Sequence, residues 1–244
     1  MNYPQYSCSD LRVVELASVL AGPAVGQFFA ELGASVIKIE NKKTGGDVTR
    51  NWRTPSEDPD TPLSAYYHSV NWGKESLLLD LTDAADFARV RELIASADIL
   101  ITNYTRKKAE KLGLDNPSVQ AINPYIIHVN LTAYGDDDER PGFDAAMQAE
   151  SGFLFMSGEP DRPPVRMPVA LIDILAAHQM KEGVLLALLE RSKTDEGAYI
   201  SVSLFDAAIA SLANQASNWL NAQFLPKRMG NFHPNIAPYG ELYE

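Results

Sequence analysis

The chain has 244 residues, 45% of them hydrophobic and 22% charged, and 21 Lys and Arg stand against 32 Asp and Glu for a formal net charge of −11. This is an ordinary globular composition for one or two domains, and it excludes a disordered or fibrous chain. The negative excess repels phosphate backbones and argues against nucleic-acid binding, so an anionic ligand must be held by local cations or helix N-termini.

Residues 12–40 predict a strand, a helix and a second strand. Val13 to Leu16 is β-prone, Gly22-Pro23 breaks it, and Pro suits the first helical turn. Val25, Phe28, Phe29 and Leu32 recur at helical spacing, Gly33 ends that helix, and Val36 to Glu40 is the next strand. Leu77 to Leu79, Ile99 to Ile101 and Tyr125 to Val129 predict further strands, and Ala84 to Ala97 an amphipathic helix. Strands alternating with helices imply a Rossmann-like, doubly wound α/β domain over about residues 10–135. The charged loop Gly135 to Gly142 reads as a boundary or surface excursion. Long helical patterns follow at 173–192 and 204–222, with a strand pattern at Tyr199 to Val202 between them. The expected layout is a large domain over 1–222 and a Pro-rich linker over 223–244 leading toward a second domain.

Cys8, the only cysteine, allows no internal disulfide and no cysteine-built metal site, and His68, His128, His178 and His233 lack metal-binding spacing. His128 alternates within a strand and reads as structural. The first residues carry no signal-peptide pattern, and no apolar run approaches the ~20 residues of a membrane span, so a soluble cytoplasmic protein is expected. Three places could carry chemistry. The turn Ser18 to Pro23 hands a strand to a helix N-terminus, where a phosphate or carboxylate can sit, and Glu40 lies where a ribose-binding acid would. The Gly-x-Gly-x-x-Gly pattern is absent, however, and a packing turn explains the same residues. Arg106 to Lys111 follows a strand end, with Asn103 and Tyr104 able to bond or stack on a nucleotide; a solvated basic face is the alternative. Asp173 follows an apolar run at a helix start, which suits both an N-cap and a nucleophilic carboxylate stripped of water.

In sequence order, Ala21-Gly22-Pro23, Glu31 to Ala34, Val36 to Glu40, Gly45-Gly46-Asp47 with Thr49-Arg50, Asn71 with Lys74 and Ser76 to Asp80, Ala97 to Tyr104, Leu131 to Gly135, Gly142 to Gly152, Gly197 to Asp206 and Gly230 to Tyr239 resemble the class III coenzyme A transferases. That family includes formyl-CoA transferase, carnitine CoA-transferase and the α-methylacyl-CoA racemases. The resemblance implies that Asp173 is the catalytic carboxylate and that Ala21, Lys74, Asn103, Tyr104 and Lys111 contact coenzyme A. It implies an acyl-CoA and a carboxylic acid as substrates, no metal, no permanently bound cofactor and a homodimer. Leu20 stands where formyl-CoA transferases have Gln, and Asn41 where they have Arg, which argues against formyl-CoA and oxalate. Phe143 replaces the racemases' His before the Asp matching Asp144, which argues for transfer over racemisation. A racemase and a non-catalytic CoA-binding paralogue remain the alternatives. Family chains continue past the Pro-rich segment, so the sequence reads as the N-terminal part of such an enzyme, with broad apolar helix faces expected to need a covering partner.

Overall fold

Short apolar runs become strands, and the amphipathic runs between them become helices that cover both faces of one sheet. In the computed structural model, which describes residues 8–236, the elements in chain order are β1 (Arg12–Glu15), α1 (Ala21–Glu31), β2 (Ser35–Asn41), α2 (Ala65–Asn71), β3 (Glu75–Leu79), α3 (Ala84–Ala95), β4 (Ile99–Thr102), α4 (Arg106–Leu112), α5 (Asn116–Ile122), β5 (Ile127–Thr132), α6 (Asp144–Glu150), α7 (Phe153–Met156), α8 (Leu171–Thr194), β6 (Ala198–Ser203), α9 (Leu204–Ala210) and α10 (Asn214–Ala222). Every strand pairing is parallel, in the order β3-β2-β1-β4-β5-β6. This is the doubly wound arrangement expected from the alternating pattern. Across the central strands Val14 faces Ile37 on one side and Leu100 on the other, and Leu100 faces His128.

Both faces are covered, so β4 and β5 are buried along their whole length; β4 opens on the apolar run Ile99 to Ile101, whereas β5 alternates apolar residues with the buried polar His128, Asn130 and Thr132. One cluster packs Val25 and Phe29 of α1 with Ile172, Met180 and Val184 of α8 and Ala207 of α9. The other packs Val90 and Ile94 of α3 with Leu114 and Val119. At about 25 cal/mol per Å² of apolar surface, each fully buried Phe, Ile or Leu contributes about 2 kcal/mol. Gly33, at φ 94°, ends α1 as a left-handed residue.

Two expectations change. The sheet does not close near residue 135, because β6 pairs along β5 after the excursion that carries α6, α7 and α8. The helical pattern over 204–222 is two helices, broken at Ala213, whose φ is 47°. The break separates α9, which buries Leu204, Ala207 and Ala208, from α10, which buries no residue. No helix among the described residues is long and apolar enough to cross a membrane. The terminal Leu242-Tyr243-Glu244 and the Ala237 to Tyr239 part of the family-like segment lie outside the described residues.

Candidate active site

In an all-parallel sheet the strand ends converge on one edge, and a crevice opens where the order reverses, here between β1 and β4. The connection from β1 to α1 lies at that point. The Leu16 amide donates to the Ile101 carbonyl at 2.8 Å, and Asn103 Nδ2 donates to the Ser18 carbonyl at 3.1 Å. Val19 is held at φ 76°, an unusual conformation for a β-branched residue, with its amide donating to Asp47 Oδ2 at 3.2 Å. Ala21 is the first residue of α1 and is buried.

A neutral set of four buried charges supports this loop. Lys38 Nζ lies 2.7 Å from Glu15 Oε1 and 3.1 Å from Asp47 Oδ2, and Lys74 Nζ lies 2.7 Å from Glu15 Oε2. Burial works against the Lys38 ammonium, but Glu15 and Asp47 hold its pKa above the ordinary value. Burial pulls Lys74 down to about 8 despite Glu15. Lys74 also donates to the Pro23 carbonyl at 2.8 Å and to Asn71 Oδ1 at 3.1 Å. The free cation expected at position 74 is thus an internal strut under α1, with all three donor positions occupied. Glu40 is engaged too. It accepts from Arg50 at 2.6 and 2.8 Å, from Tyr67 Oη at 2.8 Å, from Ser76 Oγ at 2.5 Å and from the Asp47 amide at 2.6 Å. Burial alone would raise its pKa, yet these donors, Arg50 first, hold it at about 2. It has no capacity left for a ribose.

Asp173 is the third residue of α8, and the N-cap position is Ala170, which makes no side-chain cap. The N-cap reading therefore falls. The oxygen that satisfies a first-turn amide comes from Asp144, whose Oδ1 accepts from the Ile172 amide at 2.7 Å. Gln148, one helical turn on, donates to Asp144 Oδ2 at 2.7 Å and accepts from the Met167 amide at 2.9 Å. Both Asp144 oxygens are thus engaged as acceptors, whereas among the described residues none donates a hydrogen bond to the Asp173 carboxylate. Asp173 is 9% exposed. Burial, and secondarily the charge of Asp144, raise its pKa to about 7. The carboxylate lines a cavity of about 590 Å³ with Val19, Leu20, Trp52, Tyr66, Phe143, Arg166 and Val169. Trp52 and Tyr66 meet edge to face at 5.1 Å, and burial, then Asp173, raise the Tyr66 phenol's pKa. A buried carboxylate with no hydrogen bond among the described residues, at a helix N-terminus and with a pKa near neutrality, has the chemistry a nucleophile or a general base requires.

The other sequence candidates lie elsewhere. Ala21, Lys74, Asn103, Tyr104 and Lys111 do not line this cavity, although Val19 and Leu20, just before Ala21, do. Tyr104 is buried, its pKa pushed by burial to about 12, with Lys108 Nζ 4.2 Å above its ring. It borders a separate cavity of about 300 Å³ with His128 and Tyr199. His128 is buried, held by Thr102 Oγ1 at 2.9 Å, and desolvation lowers its pKa to about 4, as a structural residue requires. Lys111 is exposed on the last turn of α4. The acidic loop neutralises the start of that helix, with Arg106 2.6 Å from Asp137 and the Lys107 amide donating to Glu139 at 2.9 Å. Arg166, Gln148 and Tyr66 escaped sequence reasoning. Only the Asp144–Gln148 spacing, one turn apart, carried a legible signal.

The family model described as CoA-transferase family III matches residues 8–244. The chain is 41% identical over 237 residues to a succinate–glutarate CoA-transferase of Agrobacterium fabrum, covering 95% of this chain and 59% of that protein. It is 34% identical to a succinyl-CoA:glutarate CoA-transferase of Mus musculus, covering 97% of this chain and 55% of that one. The structure of a CAIB/BAIF family protein from Brucella suis superposes with a TM-score of 0.89 at 41% identity, over 100% of this chain and 64% of that one. The chain thus spans somewhat more than half the length of the curated relatives it matches. With an α/β sheet of the same architecture and the family pattern running across all but its first residues, the chain belongs to CoA-transferase family III.

Proposed function

We propose that the chain carries the nucleophilic half of a transferase that moves coenzyme A between an acyl-CoA and a free carboxylic acid. The observation that carries this reading is Asp173, a buried carboxylate without a hydrogen bond, open to a cavity and poised near neutral pH in a member of this family. An Asp173 carboxylate oxygen attacks the thioester carbonyl. The C–S bond breaks to give an acyl-aspartyl anhydride and CoA thiolate. The thiolate attacks the aspartyl carbonyl, releasing the acyl carboxylate and leaving an aspartyl-CoA thioester. The acceptor carboxylate attacks that thioester, and the returning thiolate takes the new acyl group, restoring Asp173. Desolvation suits this cycle because an anion stripped of water is the stronger nucleophile, and the positive end of α8 keeps part of it ionised. In the first turn of α1 Pro23 has no N–H and the Ala24 amide donates to the Leu20 carbonyl, which leaves the Ala21 and Gly22 amides to receive the developing oxyanion.

Coenzyme A in this reading lies along the carboxyl edge of the sheet. Ala21, Asn103 and Lys111 contact it, Lys74 holds the loop from beneath, and Tyr104 borders it from the buried side. It is a substrate and not a resident cofactor. The enzyme acts in the cytoplasm as a homodimer, a reading supported by the exposed Leu186, Leu189 and Leu220. The test is mass spectrometry of the 244-residue chain after incubation with succinyl-CoA. A CoA adduct on Asp173, lost in Asp173→Ala, is expected; turnover by Asp173→Ala within about tenfold of the parent would overturn the nucleophile.

A further inference from the structure

The cavity beside Asp173 has apolar walls, two acids and one cation, Arg166. Arg50, Arg53, Arg106, Arg140 and Arg191 each face an acid. Arg166 lines the same cavity as Asp144 and Asp173, yet among the described residues it forms no ion pair and no hydrogen bond. In a chain of net charge −11 that is a cation without its anion. Its backbone is nevertheless fixed. The neighbouring Met167 amide donates to Gln148 Oε1 at 2.9 Å, and Gln148 donates at 2.7 Å to the Asp144 that caps α8. Three linked hydrogen bonds, through Gln148 and Asp144 to the Ile172 amide, therefore tie the segment bearing Arg166 to the helix start bearing Asp173. Phe143, Val169 and Ile174 contribute the apolar wall of that cavity. A guanidinium is a planar fork that matches a carboxylate, and an apolar wall suits a short methylene chain.

We infer that Arg166 holds the remote carboxylate of a dicarboxylic acid while its other carboxyl, free or as the thioester, faces Asp173. This rests on the transfer reading above and adds the substrate class and the residue that selects it. A monocarboxylic acid of equal length fills the same apolar space and leaves Arg166 unpaired. Selection thus comes from one charge-assisted contact, which is worth about tenfold or more in affinity.

Calorimetric titration of the 244-residue chain with glutarate and with pentanoate tests this. The parent should prefer glutarate by about tenfold or more, Arg166→Gln should bring the ratio close to one, and Arg166→Lys should keep part of the preference because charge remains without the fork. An equal affinity in the parent, or a preference that survives in Arg166→Gln, overturns the inference. So does a variant that loses affinity for coenzyme A relative to pantetheine with an unchanged glutarate-to-pentanoate ratio, which would assign Arg166 to a phosphate. Arg166 is exposed and has no partner among the described residues, and the melting curve of each variant should match the parent. The succinyl-CoA adduct on Asp173 is read separately. An adduct without diacid preference sinks only the role of Arg166, and preference without an adduct sinks the transfer chemistry.

Discussion

The charged form of Asp173 costs the fold stability, because burial and Asp144 disfavour it. Its carboxyl holds a proton up to about pH 7, whereas an unfolded Asp releases it near 3.8, so between those values the folded state binds more protons. Stability therefore drains away as pH climbs from 4 to 7 and stays reduced above. Asp173→Asn should stabilise the fold, raising the free energy of unfolding by on the order of 2–4 kcal/mol at pH 8 and changing it little at pH 4. Thermal melts at the two pH values check this, and an equal shift at both would show that the carboxylate is solvated. The same ionisation should make kcat/KM for the acyl-CoA rise through a midpoint near pH 7, and Asp144→Asn should move that midpoint down, because the charge of Asp144 contributes to the elevation. None of this was legible from residue types. Asp173 follows an apolar run in the sequence, a pattern that fits a cap equally well, and only its placement three residues into α8 with Asp144 as the amide acceptor separates the two readings.

At the scale of elements, the contact of α1 with β1 is the tightest constraint on the loop that faces the cavity. A Cβ on Gly26 would lie 1.9 Å from Glu15 Oε2 and 3.2 Å from Lys74 Nζ. Glu15 cannot swing aside, because Lys38 and Lys74 hold both of its oxygens. Gly26→Ala should destabilise the fold by on the order of 3 kcal/mol, combining overpacking with a disturbed buried ion pair. Urea unfolding checks this, and a loss under about 0.5 kcal/mol would mean that the cluster yields. The elements themselves were largely readable: the periodicity of Val25, Phe28, Phe29 and Leu32 and the apolar run Ile99 to Ile101 belong to structure the pattern predicts. The ion cluster was not, because Glu15, Lys38 and Lys74 sit inside or beside strands with nothing local to say that they meet. Nor was the break at Ala213, which falls within an unbroken run of helix-forming residues and marks where packing against α8 stops.

For the whole molecule, the outer face of α8 exposes Leu185, Leu186 and Leu189, and α10 exposes Trp219 and Leu220. Apolar surface of this extent favours association. Sedimentation should show a dimer or larger species that weakens on dilution, and the double substitution Leu186→Glu, Leu189→Glu should shift it toward monomer; a parent that is monomeric throughout removes the proposal. The sheet carries one further consequence, which concerns time. The crossovers that join β1 to β5 are shorter, the longest running from Asn41 to Glu75, but β6 pairs with β5 only after the chain has travelled from Thr132 to Ala198. Closing that long loop is entropically slow, and non-local strand pairing delays folding. The segment that waits includes α6 and α8, which bear Asp144, Gln148 and Asp173. Pulse-labelled hydrogen exchange during refolding should find β1, β4 and β5 protected before β6 and α8. In that order the site is assembled last, and the apolar face of the sheet and of α1 that α8 covers stays open until then.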